Sequence, residues 1–148
     1  TKVYPLLPQQ LKLCVVGSIG QHIPADLKNV TKIAYAENLH EYYFKSKIAL
    51  CPMLIGTGVK VKVVEALSHG LPVVCTERGL DGLPDKMNSG CLLADNEEQF
   101  AGWIQQLLND KTFYNEQSRL SRASFERHFS IEKVYKKIDE ALGLGGGN

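Results

Sequence analysis

Five short apolar runs punctuate the first two thirds of the chain: residues 11–16 (LKLCVV), 30–36 (VTKIAYA), 48–51 (IALC), 71–75 (LPVVC) and 91–94 (CLLA). They are rich in β-formers and near-continuous, not alternating, and helix-like stretches separate most of them. Strands without a polar face are covered on both sides, which marks a parallel sheet. With helices as crossovers, the pattern predicts an α/β protein with a Rossmann-like open parallel sheet and helices on both faces. Such sheets take ligands in the crevice at the carboxyl ends of their strands. Chemistry is therefore expected in the loops after Val16, where Gly17 stands, and after Ala36, Cys51 and Cys75.

Beyond residue 96 the pattern becomes helical, with no strand up to residue 142: a helical C-terminal extension. Asp95 followed by Glu98 resembles an N-cap with an acid in the first turn. Phe100, Trp103, Ile104, Leu107 and Leu108 then recur at helical spacing. Ser130 is a second candidate N-cap, before IEKVYKKIDEAL, which puts Ile131, Val134, Tyr135, Ile138 and Leu142 on one face. Both stripes read as packing surfaces. The tail, residues 143–148 (GLGGGN), is expected to hold no regular structure. A single domain over residues 1–148 suits a chain of this length, 44% hydrophobic.

Charge narrows the partners. Charged residues make up 22% of the chain and the net charge is +1, so neither nucleic acid nor a membrane surface is an expected partner. An anion bound here must be held by local geometry. No apolar run approaches the roughly 20 residues that span a bilayer, and residues 1–10 lack a secretory pattern; a soluble, cytoplasmic chain is the expectation. Cys14, Cys51, Cys75 and Cys91 lie in or beside apolar runs without C-x-x-C spacing and read as buried, reduced hydrophobes. The histidines at 22, 40, 69 and 128 are too scattered among them to suggest zinc, although His22, His40 and His69 fall near predicted strand or helix ends. Asp81 and Asp85 form no metal-binding cluster. Lys111, Arg119, Arg122 and Arg127 interleave with acids as a solvated helix face.

The chemistry concentrates in residues 52–76, PMLIGTGVKVKVVEALSHGLPVVCT. Alternating Val and Lys in VKVKVV argues for a strand, yet Gly56 and Gly58 lead in, EALSHG ends in a helix-terminating glycine, and a strand follows at once. The context predicts a helix over residues 58–69, about three turns. A helix start behind a glycine turn presents free N–H groups and about half a positive charge. Glycines let a phosphate reach the backbone, Thr57 offers a hydroxyl, Val59 lies in the same turn, and Lys60 and Lys62 add cations. Helical spacing puts Gly58, Lys62 and Glu65 on one face and Lys60 away from it, which favours Lys62 for a diphosphate. Glu65 has two readings from the residues alone. It accepts hydrogen bonds from the vicinal hydroxyls of a ribose, or it is an exposed helix residue paired with Lys62.

The run GTGVKVKVVEALSHGLPVV resembles the signature of GT-B glycosyltransferases of the family 4 type, in which a glycine turn and helix of the C-terminal domain bind a sugar nucleotide. LKLCVVGSIG is similar to that domain's first strand, and VTKIAYAENLHEYYFKSKIALCP to its strand, helix and strand before the motif. TERGLDGL is similar to the following glycine loop, and HFSIEKVYKKI to the closing helix. The resemblance implies that Glu65 binds ribose, that the Gly58 amide lies near the phosphates and that Lys62 stands in the place of the lysine of GTG-type variants. It further implies that Ala36 and Leu39 border the base, and that Gly79, Leu80 and Gly82 lie near the sugar donor's phosphates and sugar. Two departures stand out. Thr57 occupies the place of the family's first motif glutamate, which contacts the transferred sugar. The basic loop after the first strand is missing, residues 17–24 reading GSIGQHIP.

What the resemblance implies is the sugar-donor-binding half of a retaining hexosyltransferase-type glycosyltransferase, with a nucleoside-diphosphate sugar as substrate; a phosphate site made of lysines and a helix dipole needs no divalent ion, so no metal or cofactor is expected. No catalytic residue stands out. The acceptor site, and any membrane contact, would belong to an N-terminal domain absent from these residues, so the 148 residues alone are expected to be inactive. A nucleotide-sugar epimerase or phosphorylase of the same fold, and a non-catalytic nucleotide-binding module, are the competing readings.

Overall fold

A computed structural model describes residues 2–143. The strands are β1 (Leu13–Val16), β2 (Val30–Ile33), β3 (Ala49–Cys51), β4 (Val73–Cys75) and β5 (Cys91–Leu93). The helices are α1 (His40–Lys45), α2 (Val61–Ser68), α3 (Glu97–Asn109), α4 (Lys111–His128) and α5 (Ile131–Ala141). Every apolar run contains a strand, and all strand pairs are parallel. The α/β architecture is thus the expected one, but its ladder is in two pieces, β1–β2 and β3–β4–β5. A loop with a short 3-10 turn (Glu77–Leu80), in place of a helix, carries the chain from β4 to β5.

The central strand divides the core. Val73 and Cys75 face a cluster with Val63, Ala66 and Leu67 of α2, joined by Leu80, Leu83 and Cys91. Val74 faces the opposite cluster, with Ala94 and Phe100, Ile104 and Leu107 of α3. All three β4 side chains are fully buried, which explains their unbroken apolarity. α4 is stapled to the link between α2 and β4 by two serines. The Ser118 hydroxyl donates to the Gly70 carbonyl at 2.6 Å and the Ser121 hydroxyl to the Leu71 carbonyl at 2.9 Å.

Several local expectations shift. α3 is capped by Asn96, whose side chain accepts from the Gln99 N–H at 2.8 Å, while Asp95 is held by the Gln99 side chain at 2.7 Å. The cap lies one residue later than expected because the side chain returning to the backbone is Gln99, not Glu98. Ser130 precedes α5 with extended backbone but makes no capping bond. Cys14 is exposed, unlike Cys51, Cys75 and Cys91, because β1 lies outside the two buried clusters. The stripe on α5 is not a packed face: Ile131 is 75% exposed and Tyr135 64%. Gly143 ends α5 with φ of 70°; the remaining tail, residues 144–148, lies outside the described residues.

Gly90 sits where α4 meets the sheet, with φ of 77°. A Cβ there would fall 1.9 Å from the Ser121 hydroxyl oxygen and 2.7 Å from the Ser121 nitrogen and the Gln117 carbonyl. Gly90→Ala is expected to destabilise by about 3 kcal/mol in urea titration. Nearby, Asp85 receives His128 Nε2 at 2.7 Å and Arg127 at 2.6 Å. The His128 hydrogen bond first, then that of Arg127, holds its carboxyl below the ordinary range. A depressed folded pKa stabilises above the unfolded value and is lost as pH falls through it. Asp85→Asn should therefore remove part of the acid-side drop in Tm below about pH 4.

Candidate functional site

The loops leaving β3 and β4 meet at one edge of the three-stranded sheet. After Cys51 the chain runs through residues 52–60, exposed except at Lys60. After Cys75, the Thr76 hydroxyl donates to the Met53 carbonyl and ties the second loop to the first. Gly79 is packed so closely that a Cβ would stand 2.8 Å from the Cys75 Cβ and 3.1 Å from the Cys51 carbonyl. Leu80 is buried in the α2-side core. Gly82, with φ of 77°, lies against Val59: a Cβ would be 2.6 Å from Val59 Cγ2 and 2.7 Å from its nitrogen. Gly56, Thr57, Gly58, Val59 and Lys60 thus share one surface with Gly82, while Gly79 and Leu80, both predicted site residues, lie buried beneath it.

The helix starts later than the sequence suggests. α2 begins at Val61, with Lys60 in extended conformation at its N-cap. Gly56 and Gly58 have φ of 109° and 79°, so the glycine segment is a loop and Gly58 shares no helical face with Lys62 and Glu65. Lys60 does not point away. Its ammonium donates to the Gly58 carbonyl at 2.9 Å and sits 3.7 Å from where a Gly56 Cβ would be. The delayed start has a steric and a packing cause: two left-handed glycines cannot enter a right-handed helix, and α2 buries Val63, Ala66 and Leu67, leaving Val61 and Lys62 outside. No side chain caps α2, so the Val61 and Lys62 N–H groups point along the axis toward the glycine loop. Together with Lys60 and Lys62, they make a ledge suited to an anion.

Glu65, half-buried one turn further, has an unforeseen partner. The Tyr43 hydroxyl donates to Glu65 Oε2 at 2.9 Å, and no ion pair joins Glu65 to Lys62 among the described residues. Burial first, then the hydrogen bond and charge of Glu65, push the Tyr43 phenol well above its ordinary pKa. The Tyr43 ring stacks on His69 with centroids 5.0 Å apart and planes 24° apart. His69 Nδ1 lies 2.8 Å from the Glu65 carbonyl, and its Nε2 lies 2.9 Å from His40 Nδ1. A Nδ1–H on His69 donating to that carbonyl leaves Nε2 to accept from His40.

His40 follows Leu39, the N-cap of α1, so the same chain of contacts links the Ala36–Leu39 stretch to Glu65. An open crevice of about 400 Å³ runs beside it, lined by Asn38, His40, Glu41, Phe44, Lys45 and His69. Tyr43 was missed in the sequence, and the two histidines stood there only as isolated candidates. Their separations of 22 and 29 residues from Glu65 and from each other carry no periodic signal. Gly17 stays apart. It ends β1 with its N–H on the Ile33 carbonyl at 2.7 Å, in the other ladder.

The surface offers N–H groups and two lysines for an anion and a positioned carboxylate for hydroxyls. The Cys51 and Cys75 thiols are poor nucleophiles: burial raises the Cys51 pKa, and a hydrogen bond with Cys91 together with burial raises that of Cys75.

This arrangement places an anion ledge at the carboxyl edge of a parallel α/β sheet, and the comparisons with known proteins give the family. The family model for glycosyl transferases group 1 matches residues 1–110, and the chain belongs to that family. It is 24% identical over 151 residues to an uncharacterized 44.6 kDa protein in the cps region of Klebsiella pneumoniae, covering 93% of this chain and 39% of that protein. Anabaena Alr3699/HepE, solved in complex with UDP, superposes with TM-score 0.79 at 15% identity, over 97% of this chain and 44% of that one. The complex of the same protein with UDP-glucose gives 0.76 at 16% identity with the same coverage. WaaG, a glycosyltransferase involved in lipopolysaccharide biosynthesis, gives 0.71 at 18%, over 99% and 42%. The shared fold is the GT-B type, and the chain spans less than half the length of these relatives. No described helix is long and apolar enough to cross a membrane.

Gly82→Ala is expected to push the Val59 backbone aside and destabilise by about 1–3 kcal/mol. Amide NMR shifts should centre on residues 56–60; shifts confined to residues 80–84 would show that the two loops are not mechanically joined.

Proposed function

We propose that the chain is the sugar-donor-binding domain of a retaining glycosyltransferase, taking a nucleoside diphosphate sugar. In this reading the diphosphate lies on the Gly56–Lys60 loop and the first turn of α2, and Glu65 accepts from the ribose hydroxyls. Ala36 and Leu39 border the base, and Gly79, Leu80 and Gly82 approach the phosphates and sugar. The observation that carries the reading is the meeting of an uncapped helix start, a left-handed glycine loop and a positioned carboxylate at the carboxyl edge of a parallel sheet. UDP and UDP-glucose in complexes of a protein of the same fold support it and make UDP the first ligand to test.

The domain's part in transfer is electrostatic. As the bond to the sugar breaks, negative charge grows on the leaving diphosphate. Pre-aimed N–H groups and lysines at the α2 start stabilise that charge more than they stabilise the bound donor. Lys60 replaces Lys62 as the nearer cation to the glycine loop, although both remain within a side chain's reach of it. No metal or cofactor is assigned to this chemistry. Thr57, in place of an acidic residue, offers a hydroxyl where the transferred sugar would sit. The acceptor and the residues that act on it are assigned to a further N-terminal domain, with the reaction in the cleft between the two.

The test is thermal stability with UDP, GDP and ADP sugars. The right nucleotide at 100 times its Kd should stabilise the fold by about 2.7 kcal/mol, and Glu65→Ala should weaken it roughly 10- to 100-fold. Unchanged affinity in Glu65→Ala would overturn the ribose assignment. These 148 residues alone are expected to bind the sugar donor without turning it over; transfer to an added acceptor would overturn the division of labour.

A further inference from the structure

Among the described residues Tyr43 is the one side chain that hydrogen-bonds the Glu65 carboxylate, and it reaches it from a different element of the fold. We propose that Tyr43 is a positioning residue for sugar-donor recognition: its hydroxyl, held on α1, fixes the Glu65 carboxylate so that the free oxygen meets the ribose hydroxyls. The proposal rests on the assignment of Glu65 to the ribose.

A glutamate side chain on a helix surface samples several rotamers, and binding must freeze it. Here one oxygen, Oε2, is held at 2.9 Å by a phenol that also lies 3.4 Å from the Lys62 carbonyl. The phenol is itself held in place by its neighbours. Its ring stacks on His69, packs against the α2-side core and is half-buried. His69 is anchored at both nitrogens, to the Glu65 carbonyl at 2.8 Å and to His40 at 2.9 Å. The carboxylate is therefore aimed from a platform continuous with the helix that carries it.

The chemical identity of the partner matters as much as its rigidity. A lysine at this distance would satisfy the carboxylate with a full positive charge and compete with an incoming hydroxyl. A phenol takes up one oxygen with a neutral donor and leaves the charge available to accept further hydrogen bonds. Its O–H is retained, because burial and the adjacent carboxylate both oppose ionisation. Tyr43→Phe keeps the ring, its stacking and its packing, and deletes only the aiming contact.

The experiment titrates UDP and 2′-deoxy-UDP into the protein and its Tyr43→Phe, Glu65→Ala and double variants by calorimetry. In Tyr43→Phe the affinity for UDP should fall about threefold to tenfold, with a smaller loss for 2′-deoxy-UDP, which offers the carboxylate only its 3′-hydroxyl. In Glu65→Ala the preference for UDP should vanish, and adding Tyr43→Phe should change nothing more. Equal loss for both ligands in Tyr43→Phe, or no loss for either, would overturn the positioning role. If Glu65→Ala removes the preference and Tyr43→Phe leaves it intact, the ribose assignment stands and the Tyr43 proposal alone fails. A preference that survives Glu65→Ala overturns both. Tyr43→Trp, which keeps a ring against His69 but moves the polar hydrogen away, should behave as Tyr43→Phe does and serves if the latter does not fold.

Discussion

The architecture depends on the burial of β4 from both sides. Three residues, Val73, Val74 and Cys75, have no accessible surface, and alternation sends the outer two toward α2 and the middle one toward α3. Burying a residue of this kind contributes about 1.5–3 kcal/mol, but position matters more than the total. Because β4 is central, its carboxyl end is held by a paired strand on each side. The Thr76–Met53 bond and the packing of Gly79 on Cys51 extend that hold to the glycine loop. A loop as exposed as residues 53–59 has no core of its own, so what order it has comes from below.

The strands were legible because burial on both faces leaves a continuous apolar run that no polar residue interrupts. β1 and β2 were legible too, although their surroundings were not. LKLCVV looks as buried as LPVVC, yet Cys14 is exposed, because composition reports what a strand tolerates and not what covers it. The same holds for α5. Ile131, Val134, Tyr135 and Ile138 make a regular stripe, and a stripe announces an apolar face without naming its partner. Among the described residues α5 packs mainly on α4, and all four side chains stay exposed.

The glycine segment shows where local pattern and backbone sterics part company. Its residue types pointed to an anion ledge on a helix starting at Gly58, but the helix begins three residues late. Two left-handed glycines hold the loop open and leave Lys60 extended. That reverses the expected order of the lysines, because helical spacing was applied to residues outside the helix. Tyr43 was illegible for a different reason: a contact across 22 residues between two helices is set by how α1 packs on α2, which no window of sequence contains.

Electrostatics ties these features together. With a net charge of +1, the molecule has no long-range field to gather an anion, so attraction must act over a few ångströms at the α2 start. There a helix terminus and two lysines are positive, while Glu65, one turn on, is negative. Such opposites at that distance would tend to collapse into an ion pair and cancel. They do not, because Lys60 is turned back onto the Gly58 carbonyl and Glu65 is engaged by a neutral phenol. The Lys60 and Glu65 charges are thereby each held by a partner that leaves the sign intact. A surface that keeps separated positive and negative poles about one helical turn apart, in place of a neutral pair, suits a ligand with phosphates at one end and hydroxyls beside them.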